Sequence, residues 1–205
     1  MQLFHNTASP YVRKVMVTLI ETGQRDEVEL VHATGTPVDS VQQPVAHNPL
    51  GKVPTLLRPD GPALFDSRVI CRFLDARAGT RLYPDGRIWE VLTLEALADG
   101  ILDAAVLMVY EARCRPEAAR SADWVAGQWA KIDRALDALE GTWISHLSGR
   151  LDMGQIAVGV ALGYLDFRHA DRDWRAGRGA LATWERAFAE RSEEHTSELQ
   201  SPLCI

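Results

Sequence analysis

The sequence predicts an α/β domain followed by an all-helical domain, and two observations predict this. Up to about residue 80, short apolar runs alternate with polar turns and with two helical patterns. Beyond residue 85, every apolar pattern has helical spacing. We therefore predict domains at residues 1–80 and 86–190, joined by a linker from Thr80 to Asp85.

The elements of the first domain follow the order β-α-β, a loop, then β-β-α. Ser9-Pro10 marks the start of the first helix, because proline is favoured in a first turn and serine as the preceding cap. "RPDGP" is typical of a hairpin turn between the last two strands. The predicted strands are 1–4, 28–33, 52–57 and 62–65, and the predicted helices are 10–23 and 66–79.

The second domain contains four predicted helices. The third of them is apolar on nearly all sides, which indicates a buried central helix. On the first, Trp89, Leu92, Leu102 and Val106 are predicted core residues. The four helices are predicted at 87–114, 121–147, 151–168 and 179–191.

Residues 191–205 fit neither domain. The first part of this segment, "RSEEHTSELQS", is similar to the translation of a common sequencing adapter. We therefore expect it to be an artefact that replaces the natural C-terminus after Glu190, or else a disordered polar tail.

Composition excludes several classes of function. The chain of 205 residues has a net charge of −6, whereas nucleic-acid-binding proteins usually carry a basic surplus. No apolar stretch reaches the length of about 18 residues that a membrane span needs, and no signal peptide is evident, so we expect a cytoplasmic protein. Three widely spaced cysteines and scattered histidines predict no metal site.

Three short motifs have both a structural and a functional interpretation. Ser9 is a helix cap, or it is a hydroxyl that donates to a thiolate near the positive helix end. A cis Val53-Pro54 bond would leave the Val53 backbone free to pair with an extended peptide. Asp66 and Ser67 cap the next helix, or they bind a ligand that carries both an ammonium and a carboxylate group.

A fourth motif is interpreted as structural only. Asp152 and Gln155 stand three residues apart before an apolar run, as in a capping box in which aspartate replaces serine or threonine.

Together, the β-α-β-β-α order, Ser9-Pro10-Tyr11, "NPLGKVP", "DS" and the capping box resemble the cytosolic glutathione S-transferases, and in particular the bacterial serine-type members. The similarity covers residues 1–190 and implies a thioredoxin-like first domain. It also implies glutathione as co-substrate, a thiolate that attacks small electrophiles, and a homodimer.

The resemblance also implies roles for individual residues. Ser9 takes the thiol-activating position, with Thr7 as a rival hydroxyl. Val53 pairs with the cysteinyl part of glutathione and Pro54 is the expected cis-proline. The remaining contacts that the resemblance implies are Asp66 and Ser67 at the γ-glutamyl end and Lys52 at the glycine carboxylate. Arg13 either adds positive potential or faces solvent from the first turns of the helix.

The electrophile pocket is expected between the domains, partly lined by the long helix. Met108, Tyr110, Glu111 and Arg113 lie on its later turns, but helical spacing does not say which of them face a cleft. Cys71 is expected to pack inward.

The exact reaction stays open at this point. With serine and not cysteine at position 9, a mixed disulfide with the protein is disfavoured. A glutathione-dependent reductase, isomerase or lyase would use the same thiolate, and a non-catalytic interaction module is a further alternative.

Overall fold

The computed structural model describes residues 1–40 and 42–196, in which one compact unit contains Met1–Leu82 and a second contains Tyr83–Glu193. The first unit follows the predicted β-α-β-β-α order. Its strands are β1 (Gln2–His5), β2 (Glu29–His32), β3 (Thr55–Arg58) and β4 (Gly61–Leu64), and its helices are α1 (Pro10–Glu21) and α2 (Ser67–Ala78).

The four strands form a mixed sheet in the order β2-β1-β3-β4. β2 runs parallel to β1, while β3 is antiparallel to both β1 and β4. Helices α1 and α2 pack against each other. Apolar side chains of the strands and helices are fully buried and form the core of this unit: Leu3, Val15, Leu19, Leu56, Ile70 and Leu74.

The third strand is shorter than predicted. It begins at Thr55 and not at Lys52, because the segment before it forms a turn and Pro54 has no N–H to donate to a ladder. Residues 52–54 are therefore loop residues whose backbone is not committed to the sheet.

The second unit is helical, as predicted. Helix α3 packs against both α4 and α6. The prediction that α6 is a buried helix is confirmed, since most of its residues are buried. The helices are α3 (Ile88–Cys114), α4 (Ala122–Ala138), α5 (Ile144–Leu147), α6 (Met153–Arg168) and α7 (Gly179–Thr196).

The helix predicted over 121–147 is interrupted. Residues Leu139–Trp143 form a π-helical turn between α4 and α5. The carboxylate of Glu140, inside this turn, accepts hydrogen bonds from the backbone N–H groups of Ala180 and Leu181 at 3.1 and 2.7 Å. These N–H groups belong to the first turn of α7, so the irregular turn supplies a cap for a distant helix.

Two further expectations need correction. Trp89 was predicted in the core but is 76% exposed, because it lies on a face of α3 that the rest of its unit does not cover. Helix α7 continues past Glu190 to Thr196, since no proline or glycine interrupts this stretch. The remainder of the predicted tail, 197–205, lies outside the described residues.

No helix in the described part of the chain is both long and apolar enough to span a bilayer.

Candidate functional site

The sheet register brings three of the predicted motifs to one edge of the first unit. Phe4, near the end of β1, pairs with Thr55 at the start of β3, and Leu64 at the end of β4 pairs with Leu56. The chain therefore leaves β1 toward Ser9, enters β3 from Val53-Pro54 and leaves β4 toward Asp66 at the same edge. Because each helix starts there, the N-termini of α1 and α2 both lie at this edge.

Ser9 is the N-cap of α1, as predicted. Its Oγ accepts a hydrogen bond from the Val12 N–H at 3.3 Å, and its backbone has extended dihedrals. The turn before it is fixed by Asn6, whose carbonyl accepts from the Ser9 N–H at 3.0 Å and whose Oδ1 accepts from the Ala8 N–H at 2.9 Å. Since the Ser9 oxygen acts here as an acceptor, its own proton is left to donate to a ligand.

The loop that leads to Val53 is organised by Asn48, which is only 1% exposed. Its amide nitrogen donates to the Lys52 carbonyl and to the Thr55 hydroxyl, both at 3.1 Å. Its Oδ1 accepts from the Leu50 N–H at 3.0 Å. The next turn uses Gly51 at a φ of 57°, a left-handed conformation that favours glycine. Asn48 belongs to the "NPLGKVP" motif, but the sequence alone did not predict a role for it.

The Val53-Pro54 peptide bond is cis, which confirms the prediction. Val53 is half-buried and Pro54 is buried, whereas Lys52 is exposed. The Lys52 side chain is therefore not part of the buried core, and its ammonium is accessible to a ligand.

Asp66 is the N-cap of α2, also as predicted. Its Oδ1 accepts from the Arg68 N–H at 3.1 Å, and its Oδ2 lies 3.2 Å from the Arg68 guanidinium. Both side chains of this ion pair are more than half exposed, so the pair contributes little to stability and a ligand ammonium can replace it. Ser67, the first residue of α2, is buried. The Phe65-Asp66 bond is cis as well.

Positive charge near the first helix comes from Arg13. Its N–H donates to the Ser9 carbonyl at 3.1 Å, so it lies one turn after the cap. Burial lowers the pKa of the Arg13 guanidinium, which is half-buried. Because the group is partly removed from water, its charge acts on nearby groups more strongly than that of a solvated surface arginine.

Cys71, the cysteine of the first unit, does not contribute to this edge. Cys71 is fully buried on α2, as predicted, and its sulfur accepts a hydrogen bond from the Thr18 hydroxyl at 3.3 Å. Among the residues that the structure describes, no three histidine, cysteine or acidic side chains form a group that could hold a metal ion.

The residues predicted for the electrophile pocket lie in the second unit. On α3, Met108 is buried, Tyr110 is half-buried and Arg113 is exposed. Glu111 is buried and engaged by Arg115 at 2.9 Å and by the Ser121 N–H at 2.9 Å, so it is held in a structural role. Tyr164 and Arg168 lie on α6, a helix that packs against α3, and the sequence did not predict a role for them.

The fourth motif is structural, as predicted, but only half of the capping box forms. The Asp152 Oδ1 accepts from the Gln155 N–H at 3.2 Å. The Gln155 side chain does not return to the cap residue and instead donates to the carbonyls of His146, Gly149 and Arg150 at 3.1–3.2 Å. The Asp152 Oδ2 accepts from His146 Nε2 at 2.8 Å, a contact that the sequence did not predict.

A mixed four-stranded sheet with a cis-proline before β3, followed by an all-helical unit, defines a thioredoxin-like domain joined to a helical domain. The family model for the glutathione S-transferase N-terminal domain matches residues 8–77, and that for the C-terminal domain matches residues 122–187. The chain is also 33% identical over 186 residues to the uncharacterized GST-like protein YibF of Escherichia coli K12, covering 88% of this chain and 90% of that protein. The chain therefore belongs to the glutathione S-transferase family.

Two solved structures of a glutathione transferase family member from Pseudomonas fluorescens Pf-5 are similar to this chain. One contains bound glutathione and is 47% identical, with a TM-score of 0.90 over 93% of this chain and 94% of that chain. The other contains bound S-(propanoic acid)-glutathione and is 46% identical, with a TM-score of 0.86 over 93% of this chain and 95% of that chain.

Proposed function

We propose that this protein is a serine-type glutathione transferase that ionises the thiol of glutathione and directs it at small electrophiles. The observation that carries the proposal is the convergence of Ser9, Val53-Pro54 and Asp66-Ser67 on one sheet edge. The glutathione bound to the Pseudomonas fluorescens relative supports the choice of ligand.

In this proposal the tripeptide lies along the edge in an extended conformation. The Val53 backbone pairs with the cysteinyl residue, because residues 52–54 precede β3 and their backbone is not part of the sheet. Asp66 receives the γ-glutamyl ammonium, while Ser67 and the N-terminus of α2 receive its carboxylate. Lys52 reaches the glycine carboxylate.

The thiol is activated by Ser9 and by the N-terminus of α1. A hydrogen bond to a charged group stabilises it by about 1.5–3 kcal/mol, and a helix N-terminus adds about 0.3–1 kcal/mol. Because one pKa unit corresponds to about 1.36 kcal/mol, the two together lower the pKa of the glutathione thiol by about 1.5–3. From an ordinary value of about 8.5, this makes the thiolate the main form near neutral pH. The half-buried Arg13 acts in the same direction.

The test is the pH dependence of kcat/KM with glutathione and 1-chloro-2,4-dinitrobenzene for Ser9→Gly. Glycine is tolerated at an N-cap, at a cost of only a few tenths of a kcal/mol, so this variant isolates chemistry from folding. We expect kcat/KM at pH 6.5 to fall about 10- to 150-fold, the equivalent of the lost 1.5–3 kcal/mol, and the pKa of the profile to rise.

Thr7→Val is the matched control, because Thr7 is the neighbouring hydroxyl and is half-buried. We expect it to leave the pH profile in place. An unchanged profile in Ser9→Gly together with a loss in Thr7→Val would transfer the activating role to Thr7. A thermal-shift measurement with millimolar glutathione distinguishes the enzyme from an interaction module, since a module without a peptide site would show no stabilisation.

We further propose that the protein is a cytoplasmic homodimer. Trp89 and Leu107 on α3 are 76% and 42% exposed and stand five helical turns apart, so they share one face of the helix. Large apolar side chains exposed along one helix face favour a protein partner over water. Trp89→Glu should shift the mass measured by light scattering to that of a monomer, whereas the control Trp124→Glu on α4 should not.

A further inference from the structure

Two histidines stand side by side at the sheet edge where the chain leaves β1 toward Ser9. His5 is the last residue of β1 and His32 is the last residue of β2, and the parallel register pairs them directly. Their rings meet edge to face, with the centroids 5.6 Å apart. His32 is exposed, whereas His5 is half-buried. We call these two residues the histidine pair.

The inner histidine of the pair is held in a site that suits only its neutral form. The Nδ1 atom of His5 is buried and has no hydrogen-bond partner. A neutral imidazole can keep its proton on Nε2 and leave Nδ1 as an unused acceptor, whereas a protonated imidazole carries an N–H on both nitrogens. Protonation in this position would therefore bury an N–H donor that has no acceptor, which is costly.

The charges around His5 also oppose its protonation. Among the described residues, the charged groups that act on its ring are His32 and Arg25, and both are cationic when charged. Burial, together with these two groups, lowers the pKa of His5 below its ordinary value of 6.5. The charged residues that β2 and β3 also carry, Glu29 and Arg58, lie at the far end of β1. The carboxylate of Glu29 is therefore not next to the ring.

The backbone beside the pair anchors the turn that positions Ser9. The His5 carbonyl accepts a hydrogen bond from the Ala33 N–H at 2.8 Å. The side-chain amide of Asn6 donates to the Ala33 carbonyl at 3.4 Å. Asn6 is also the residue whose carbonyl accepts from the Ser9 N–H at 3.0 Å. A separation of the two strand ends would therefore release Asn6 and, with it, the cap of α1.

We propose that the histidine pair is an acid-sensitive switch of the glutathione site: a closed arrangement holds the Ser9 turn, and protonation favours an open one. This inference rests on the proposed function, because it assigns a mode of regulation to that same site. In the open arrangement, the ends of β1 and β2 separate and the His5 ring is hydrated. The ring then takes a proton at its ordinary pKa of about 6.5. Acid therefore draws the protein toward the arrangement in which Ser9 is no longer fixed.

Proton linkage gives the sign and the size of this effect. The closed arrangement binds a proton on His5 less tightly than the open one, so it is favoured above about pH 6.5 and loses that advantage below it. One pH unit below 6.5, a histidine that is neutral in one state and titrates freely in the other shifts the balance by about tenfold. Because glutathione binds the closed arrangement, its apparent Kd rises by up to this factor.

The experiment measures the Kd of S-methylglutathione by calorimetry at pH 7.5 and pH 5.5. This probe keeps both ends of the tripeptide but has no ionisable thiol, so a change in its Kd reports on the protein. We expect the wild-type Kd to rise about 3- to 10-fold at the lower pH. His5→Gln should remove the rise, and His32→Gln should limit it to about twofold because one repelling charge is lost. His32 is exposed, so its substitution is not expected to disturb the fold even if that of His5 does.

His47→Gln is the matched control. The exposed His47 ring lies 5.6 Å from the ring of Phe4, whose side chain points to the opposite face of the sheet from that of His5. We expect this variant to keep the wild-type pH dependence. An equal Kd at both pH values in the wild type, or an undiminished rise in His32→Gln, would overturn the inference and leave the transferase function standing. Absence of S-methylglutathione binding at pH 7.5 would overturn both.

Discussion

Replacing Asp152 by alanine tests how much one buried carboxylate contributes to the helical unit. Asp152 is fully buried, and each of its oxygens has a separate task. Oδ1 caps α6 by accepting from the Gln155 N–H at 3.2 Å. Oδ2 accepts from His146 at 2.8 Å and lies 3.5 Å from the Arg87 guanidinium. Alanine removes all three contacts at once.

The expected loss can be estimated contact by contact. An N-cap contributes about 0.5–2 kcal/mol, and a buried hydrogen bond to a charged group contributes about 1.5–3 kcal/mol. The Arg87 pair adds about 0–1 kcal/mol, because the Arg87 side chain is 41% exposed. We therefore expect a loss of about 4 kcal/mol in the free energy of unfolding, the middle of the summed range, which for a chain of this size lowers Tm by about 8–16 °C.

The assay is urea unfolding followed by far-UV circular dichroism, with Ser121→Ala as the matched control. Ser121 caps α4 with the same geometry, accepting from the Trp124 N–H at 3.2 Å, but it is exposed and its hydroxyl has no buried network. We expect this control to lose about 1 kcal/mol. Equal losses in the two variants would show that the His146 contact adds nothing to the cap, and would refute the reasoning.

Three further predictions concern packing, the glutathione loop and pH. In urea unfolding, Gly159→Ala should destabilise the protein by about 1–3 kcal/mol, because an added Cβ would overlap the Phe188 ring. Gly163→Ala on the same helix is the control: its Cβ would meet no atom within 4 Å, so it should stabilise the protein by about 0.5–1 kcal/mol. Asn48→Ala removes one of the two side-chain donors to the Lys52 carbonyl, the other being the Thr55 hydroxyl, and also the acceptor of the Leu50 N–H. The Kd for glutathione in calorimetry should rise at least tenfold, and an unchanged Kd would contradict the role of this loop. Burial lowers the pKa of His169 below 6.5, so the folded state resists protonation and the free energy of unfolding should fall as pH drops from about 7 to 5, less so in His169→Gln.

The sequence by itself determined those parts of the site whose cause is local. Ser9, Asp66 and Asp152 could be identified as helix caps because each accepts a hydrogen bond from an N–H only two or three residues ahead. The strand and helix order could be predicted for the same reason, since hydrophobic period and turn residues are properties of neighbouring positions. The cis peptide bond before β3 was predicted because the "NPLGKVP" motif resembles that of the glutathione S-transferases.

The tertiary structure decided everything that depends on which faces meet. Nothing near Asn48 in the sequence distinguishes a buried, fully bonded amide from a solvated loop residue. Trp89 has the same hydrophobicity whether or not a helix covers it, and only the packing leaves it 76% exposed. The His169 ring, at the end of α6, lies 3.1 Å from the Ala105 carbonyl of α3, 64 positions earlier, and such pairs become neighbours only when the two helices pack.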